Sequence, residues 1–264
     1  MTNHLIESLL MAVVQGITEW LPVSSSGHLV LTEKLLNFKG GLTLDVALHF
    51  GTLMAAFVYF GSDIVNIIRD LLGGKWQNEN GHIGLLLIIA TIPAAIIGFL
   101  FKDFFEFSFS QLTAIALGFG ITGLLLLITA ITKTSSKKSL TNLTWKDALL
   151  IGIAQTIAIF PGISRSGTTI ASAILLGLNE KNAVKFSFLM SIPIIFGANI
   201  LVIGNNKIPA NMIWASLVSL FVGLIMIHIL LKYILTKKKN LIWFGIYALT
   251  LGVIIGVLLI LGIL

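Results

Sequence analysis

QGITEWLPVSSSGHLVL, residues 15–31, sets a glutamate, three serines and a histidine inside a run that is otherwise apolar enough to enter a membrane. Ionisable groups in hydrocarbon are costly and rare. Pro22 and the serines after it also interrupt the helical hydrogen-bond ladder on which backbone in lipid depends. Residues 5–36 therefore read as two half-length helices around a polar tip, not as one spanning helix. Broken backbone at membrane depth persists only where protein buries it or where it lines a wet cavity. The reading that follows is a re-entrant hairpin, which runs inward and returns to the same side.

The composition agrees with a membrane setting. The 264 residues are 56% hydrophobic and 11% charged, with a mean hydropathy of +1.01. Ordinary globular domains carry about 25% charged residues. A net charge of +6 would suggest nucleic acid in a soluble protein. Here lysines in loops facing anionic lipid account for it, and no nucleic-acid partner is expected. Cysteine is absent, which excludes disulfides and thiolate metal sites. MTNHLIESLL has no Lys or Arg ahead of its apolar run, so this segment reads as retained and not as a secretory signal.

About 20 apolar residues span a bilayer as helix. Six segments qualify, near 43–66, 84–101, 112–132, 182–203, 212–232 and 241–262, separated by GGKWQNENGH, KTSSKKSLTN, GNNKIP and TKKKN. A second apolar region, 147–177, breaks at Pro161–Ser166 in FPGISRSGT and repeats the logic of the first. With one residue inserted, Pro22 aligns with Pro161, Ser24 with Ser164, Ser26 with Ser166 and Gly27 with Gly167. The expected fold is all-α and integral to the membrane: six transmembrane helices plus two re-entrant hairpins in one membrane domain. It divides into a repeat at about 1–132, a linker at 133–144 and a repeat at about 145–264. Three crossings per repeat insert the second repeat upside down, and inverted repeats bring their broken helices together near the midplane.

Basic residues orient the chain. Of the 17 Lys and Arg, Lys34, Lys39, Lys102 and Lys207 fall on the side of the N-terminus, Arg165 lies at a tip, and the other twelve fall opposite. The positive-inside rule makes the lysine-rich side cytoplasmic, with both termini outside. Gly252 and Gly256 form a GxxxG, a signal of close helix packing and of a homodimer.

If the tips meet, Glu19, His28 and Arg165 converge with the hydroxyls of Ser24, Ser25, Ser26, Ser164, Ser166, Thr168 and Thr169. Arg holds phosphate through parallel hydrogen bonds. Ser–Gly turns at Gly27 and Gly167 open helices whose N–H groups favour anions. Such a cradle suits phosphoryl transfer. His28 can serve as base or nucleophile, and Ser25 can equally attack with His28 as its base. Glu19 can orient His28, take a proton or help ligate a divalent cation, Mg2+ or Ca2+, beside the phosphates. Asp45 and His49, at i and i+4, read as a polar patch satisfying itself and stay outside this set.

Together QGITEWLPVSSSGH and PGISRSGTT resemble the two signatures of the undecaprenyl-diphosphate phosphatase family, an (E/Q)xxxE segment running into PVSSxGH and a PGxSRSGxT. The resemblance covers the whole chain. It implies hydrolysis of a long-chain isoprenyl diphosphate to the monophosphate and inorganic phosphate, recycling the lipid carrier of wall synthesis. It also implies a plasma-membrane location, a site open to the outer face and an association with bacitracin resistance. The functional positions it implies are Gln15, Glu19, Ser24, Ser25, His28, Ser164, Arg165 and Thr169, with Gln15 and Glu19 as the metal pair. Gln15 there offers a carbonyl in place of a second carboxylate.

Transport is the alternative, since inverted repeats with broken helices also build lipid-carrier flippases and anion carriers. His28 beside Glu19 favours an enzyme, because a carrier needs no base. The type-2 phosphatidic-acid phosphatase class shares SGH but needs an Arg-Pro and an HxxxD that this chain lacks. A membrane scaffold would leave the matched tips unexplained.

Overall fold

A computed structural model describes residues 4–134, 137–203 and 212–264. Lys207 and the GNNKIP turn lie outside the described residues. The described chain is helical, with no strand beyond an isolated bridge between Lys138 and Leu178.

The first apolar region is the broken element expected of it. Helix α1 (Leu5–Thr18) and α2 (Ser25–Leu36) have 14 and 12 residues and pack on each other. The second region forms α8 (Trp145–Ile157) and α9 (Arg165–Leu175), of 13 and 11 residues, likewise packed together. At ~1.5 Å per residue each helix reaches roughly 17–21 Å, too short for the ~30 Å hydrocarbon layer. A left-handed Asn37 (φ 48°) closes α2, and a Thr144–Asp147 capping box opens α8.

Five described helices are long and apolar enough to cross a membrane: α5 (Glu79–Leu100), α7 (Leu112–Ile131), α10 (Glu180–Ile203), α11 (Met212–Ile229, extended by a π turn, Leu230–Ile234) and α12 (Leu241–Ile260). The segment expected to span 43–66 is bent and not straight. Helix α3 (Gly41–Tyr59) ends there, and α4 (Gly61–Leu72) departs at 78°. Hydropathy averaged along the chain misses this break. Asp63, Arg69 and Asp70 would be carried into hydrocarbon by a straight continuation, whereas a turned amphipathic helix keeps them at the interface. The pair still counts as a sixth candidate span if taken as one. A short helix between α5 and α7, α6 (Lys102–Phe109), was not anticipated.

Packing crosses between the two halves of the chain. Helix α1 lies on α11, α8 on α5, α3 on α10, and α7 on α12. These pairs join elements of the first half of the chain to elements of the second. Lys185 pairs with Asp63 at 2.7 Å and Lys138 with Asp147 at 3.3 Å. Gly252 is used within the chain, because a Cβ there would fall 2.7 Å from the Ala116 carbonyl of α7; Gly256 has no neighbour within 4 Å.

Candidate functional site

The two tips close by the same local chemistry. Ser24 caps α2 by accepting from the Gly27 amide at 3.3 Å, and Ser164 caps α9 by accepting from the Gly167 amide at 3.0 Å. Each capping hydroxyl lies 3.3 Å from a second one, Ser26 and Ser166 respectively. The alignment of the breaks is therefore repeated in their hydrogen bonds. These caps leave the first-turn amides of Ser25, Ser26, Arg165 and Ser166 without intrahelical acceptors, as helix starts do.

The tips also bind each other. The Ser166 hydroxyl donates to the Leu21 carbonyl at 2.9 Å, and Pro22 packs beside Gly167. The second tip is seated on α7. Thr122 donates to the Gly162 carbonyl at 3.2 Å and accepts from the Ser164 amide at 2.9 Å. Gly162 holds φ +81°, and a Cβ there would strike the Ile115 carbonyl. Only glycine suits that conformation at that distance.

At the junction lies a buried charge pair. Arg165 Nη2 donates to Glu19 Oε1 at 2.6 Å, with the two side chains 15% and 6% exposed. Arg165 Nη1 reaches the Ser187 carbonyl at 3.5 Å, and its guanidinium lies over the Trp20 ring. The other carboxylate oxygen, Glu19 Oε2, accepts from the Ser25 hydroxyl at 2.7 Å and from Gln15 Nε2 at 3.1 Å. His49 Nε2 approaches the same oxygen at 3.8 Å, while His49 Nδ1 rests 2.8 Å from the Asp45 carbonyl. His49 thus joins the site from α3. The i, i+4 spacing of Asp45 and His49 was the available signal, read as a self-contained patch; the Glu19 contact could not be seen without the fold.

His28 sits elsewhere than expected. Its Nδ1 is 2.7 Å from the Ser24 carbonyl and its Nε2 is 2.7 Å from the Tyr247 hydroxyl. Both nitrogens are so engaged, and neither Ser25 nor Glu19 is among the hydrogen-bond partners of its ring. The reason is helical geometry. Ser25 and His28 are three residues apart on α2, which offsets them by about 60° around the axis, and the ring folds back toward the tip carbonyl four residues behind.

Much of the expected substrate-contacting set lies inside the protein. Ser164, Ser166, Thr168 and Thr169 are no more than 3% exposed, and Gly27 and Gly167 are buried. Thr169 bonds to the Arg165 carbonyl and to the Ser187 hydroxyl, and so braces the arginine. Ser25 and Ser26 keep partial access. A separate polar cavity of about 280 Å³, lined by Asp63, Glu79, Asn182 and Lys185 among others, includes no tip residue.

Among the described residues no three His, Asp or Glu side chains are grouped to hold a metal ion. Gln15 does leave its Oε1 buried with no donor, beside Glu19. A divalent cation held by Gln15 Oε1 and Glu19 would take its remaining ligands from phosphate and water, and would share Glu19 with its present partners Arg165 and Ser25.

The family described as Bacitracin resistance protein BacA matches residues 8–254. The undecaprenyl-diphosphatase of Thermosipho melanesiensis is 42% identical over 245 residues, covering 93% of this chain and 96% of the relative. That of Carboxydothermus hydrogenoformans is 41% identical over 260 residues, covering 96% of each. That of Saccharophagus degradans is 41% identical over 263 residues, covering 94% and 96%.

Proposed function

The chain belongs to the bacitracin resistance protein BacA family, and on that footing we propose a reaction for the site where its tips meet. The protein is a multi-pass membrane hydrolase that removes the terminal phosphate of undecaprenyl diphosphate. The transport alternative finds no support in these relatives, which are named as diphosphatases.

The observation that carries the mechanism is Ser25 Oγ donating to Glu19 Oε2 at 2.7 Å while Arg165 holds Glu19 Oε1. The open choice between Ser25 and His28 then falls to Ser25. Glu19 takes the Ser25 proton, and Oγ attacks the terminal phosphorus. The anhydride P–O bond breaks, and the lipid monophosphate leaves. Glu19 passes the proton it took to the departing monophosphate oxygen; as a carboxylate again it accepts a proton from the water that attacks the phosphoserine, and hands that proton to Ser25 Oγ as inorganic phosphate leaves and the serine is regenerated. Arg165 and the first-turn amides of α2 and α9 stabilise charge on the transferring phosphoryl group. A divalent cation held by Gln15 and Glu19 would neutralise phosphate charge. The isoprenyl tail stays in lipid, and its binding helps to position the reacting end.

The lysine asymmetry supports a plasma-membrane protein with both termini and the site facing outward. As cysteine is absent from the chain, a single Lys102→Cys should label from outside and Lys146→Cys should not; the reverse pattern inverts the orientation. The reaction itself is tested by phosphate release from an isoprenyl diphosphate in detergent, where no gradient exists. Folded wild type should release phosphate, and Ser25→Ala should not. Silence from the folded wild type defeats the proposal.

A further inference from the structure

The tip that carries Ser25 is strained. Ser24 holds φ 69° and ψ 96°, a left-handed conformation for a residue with a side chain. Such residues persist only where their surroundings over-determine them. Within the hairpin, Ser24 Oγ meets the Gly27 amide and Ser26 Oγ. Its carbonyl meets His28 Nδ1 at 2.7 Å. A carbonyl only accepts, so Nδ1 carries the proton. In the neutral ring Nε2 is then an acceptor, and the Tyr247 hydroxyl 2.7 Å away donates to it.

Tyr247 comes from α12, 219 residues along the chain. Its ring lies parallel to the imidazole at 9°, with centroids 5.7 Å apart, while Phe119 of α7 meets the imidazole edge-on at 5.2 Å. The helices that supply these two rings are locked together. A Cβ on Gly123 would fall 2.7 Å from the Leu249 amide and 2.8 Å from the Gly245 carbonyl. Phe119 is fully buried and leaves no room for a Cβ on Gly27. A continuous chain of contacts therefore runs from the rigid α7–α12 pair through Tyr247 and His28 to the Ser24 carbonyl, one residue before the Ser25 hydroxyl.

We infer that Tyr247 is a positioning residue for the phosphatase reaction: acting through His28, it holds the strained Ser24 turn and keeps the Ser25 hydroxyl in line with Glu19. The inference rests on the reading of Ser25 as nucleophile. It gives His28 a task that needs no contact with the phosphorus, and it gives a role to a tyrosine outside both tip motifs.

The test is a double-mutant cycle in the full chain in detergent, with isoprenyl diphosphate as substrate. Tyr247→Phe keeps the ring and removes only the hydroxyl. It should lower kcat about threefold to tenfold, the worth of one hydrogen bond, and leave KM within about twofold. In a His28→Ala background Tyr247→Phe should change nothing further. Should His28→Ala fail to fold, His28→Asn retains a donor for the Ser24 carbonyl while losing the link to Tyr247, and Tyr247→Phe should be silent there too. Nitrogen-15 chemical shifts of the His28 ring should report the Nδ1–H tautomer in wild type and a mixture in Tyr247→Phe. Unchanged kcat in Tyr247→Phe, a rise confined to KM, or a loss that multiplies with that of His28→Ala would each overturn the inference. Ser25→Ala measured alongside separates the two levels: activity surviving that change removes Ser25 as nucleophile, and leaves the coupling of Tyr247 to His28 to be judged on the cycle alone.

Discussion

The Ser25 hydroxyl donates to Glu19 Oε2 at 2.7 Å across the first tip, and the opposite oxygen of the same carboxylate is held by Arg165 of the second tip. One carboxylate thus joins a nucleophile from one hairpin to a cation from the other. Neither hairpin contains a complete site.

Removing Glu19 should therefore damage folding and chemistry separately. Glu19→Ala leaves Arg165 largely buried and unpaired, and loss of one partner of a buried pair costs about 3 kcal/mol or more. The double variant Glu19→Ala, Arg165→Met should recover thermal stability in detergent without recovering phosphate release. Recovery of both would make the pair purely structural.

Charge alone should not replace Arg165. Its two terminal nitrogens reach Glu19 and the Ser187 carbonyl, and a lysine ammonium cannot span both in the same plane. Arg165→Lys should lose about a hundredfold in kcat, comparable to losing one donor that stabilises the transition state. Steady-state phosphate release measures this, and near-normal turnover would take the guanidinium out of the mechanism.

Gln15 offers the position from which cation dependence can be tuned. Its Oε1 is a buried acceptor without a donor, next to Glu19. Excess chelator should suppress phosphate release, and Gln15→Glu should lower the Mg2+ or Ca2+ concentration needed for half-maximal activity. Activity indifferent to chelator would remove the cation from the reaction.

The start of the second hairpin carries a titratable cap. Burial pushes the Asp147 carboxyl up, but the Thr144 amide and hydroxyl and the Lys138 ammonium outweigh it and hold the group below its ordinary value of 3.8. A carboxyl lowered on folding stabilises the protein above its unfolded pKa, and that stability is lost as pH falls through the folded one. Asp147→Asn should cost about 1 kcal/mol at neutral pH, as loss of a cap does. The difference between variant and wild type should shrink below about pH 4. Thermal unfolding in detergent across that range tests the sign.

Both broken helices were legible in the sequence because proline and serine punctuate an apolar run regardless of context. The caps at Ser24 and Ser164 follow from their spacing to Gly27 and Gly167 for the same local reason. The bend at Phe60 was not legible: α3 and α4 are both apolar on average, and the turn depends on where three charges must lie. The i, i+4 spacing of Asp45 and His49 reads as a polar patch satisfying itself, which leaves His49 outside the site that the fold brings it to. Tyr247 left no local signal at all.

By itself, then, the sequence determined the membrane setting and the two matched tips, and placed Glu19 near Arg165 only on the condition that those tips meet, since these rest on hydrophobicity and local backbone chemistry. The tertiary structure alone decided that Ser25 and not His28 faces Glu19, that His49 approaches the carboxylate, and that His28 turns to Tyr247. Those outcomes depend on which face each helix presents to helices distant in sequence, and side-chain packing settles that only once the whole bundle is assembled.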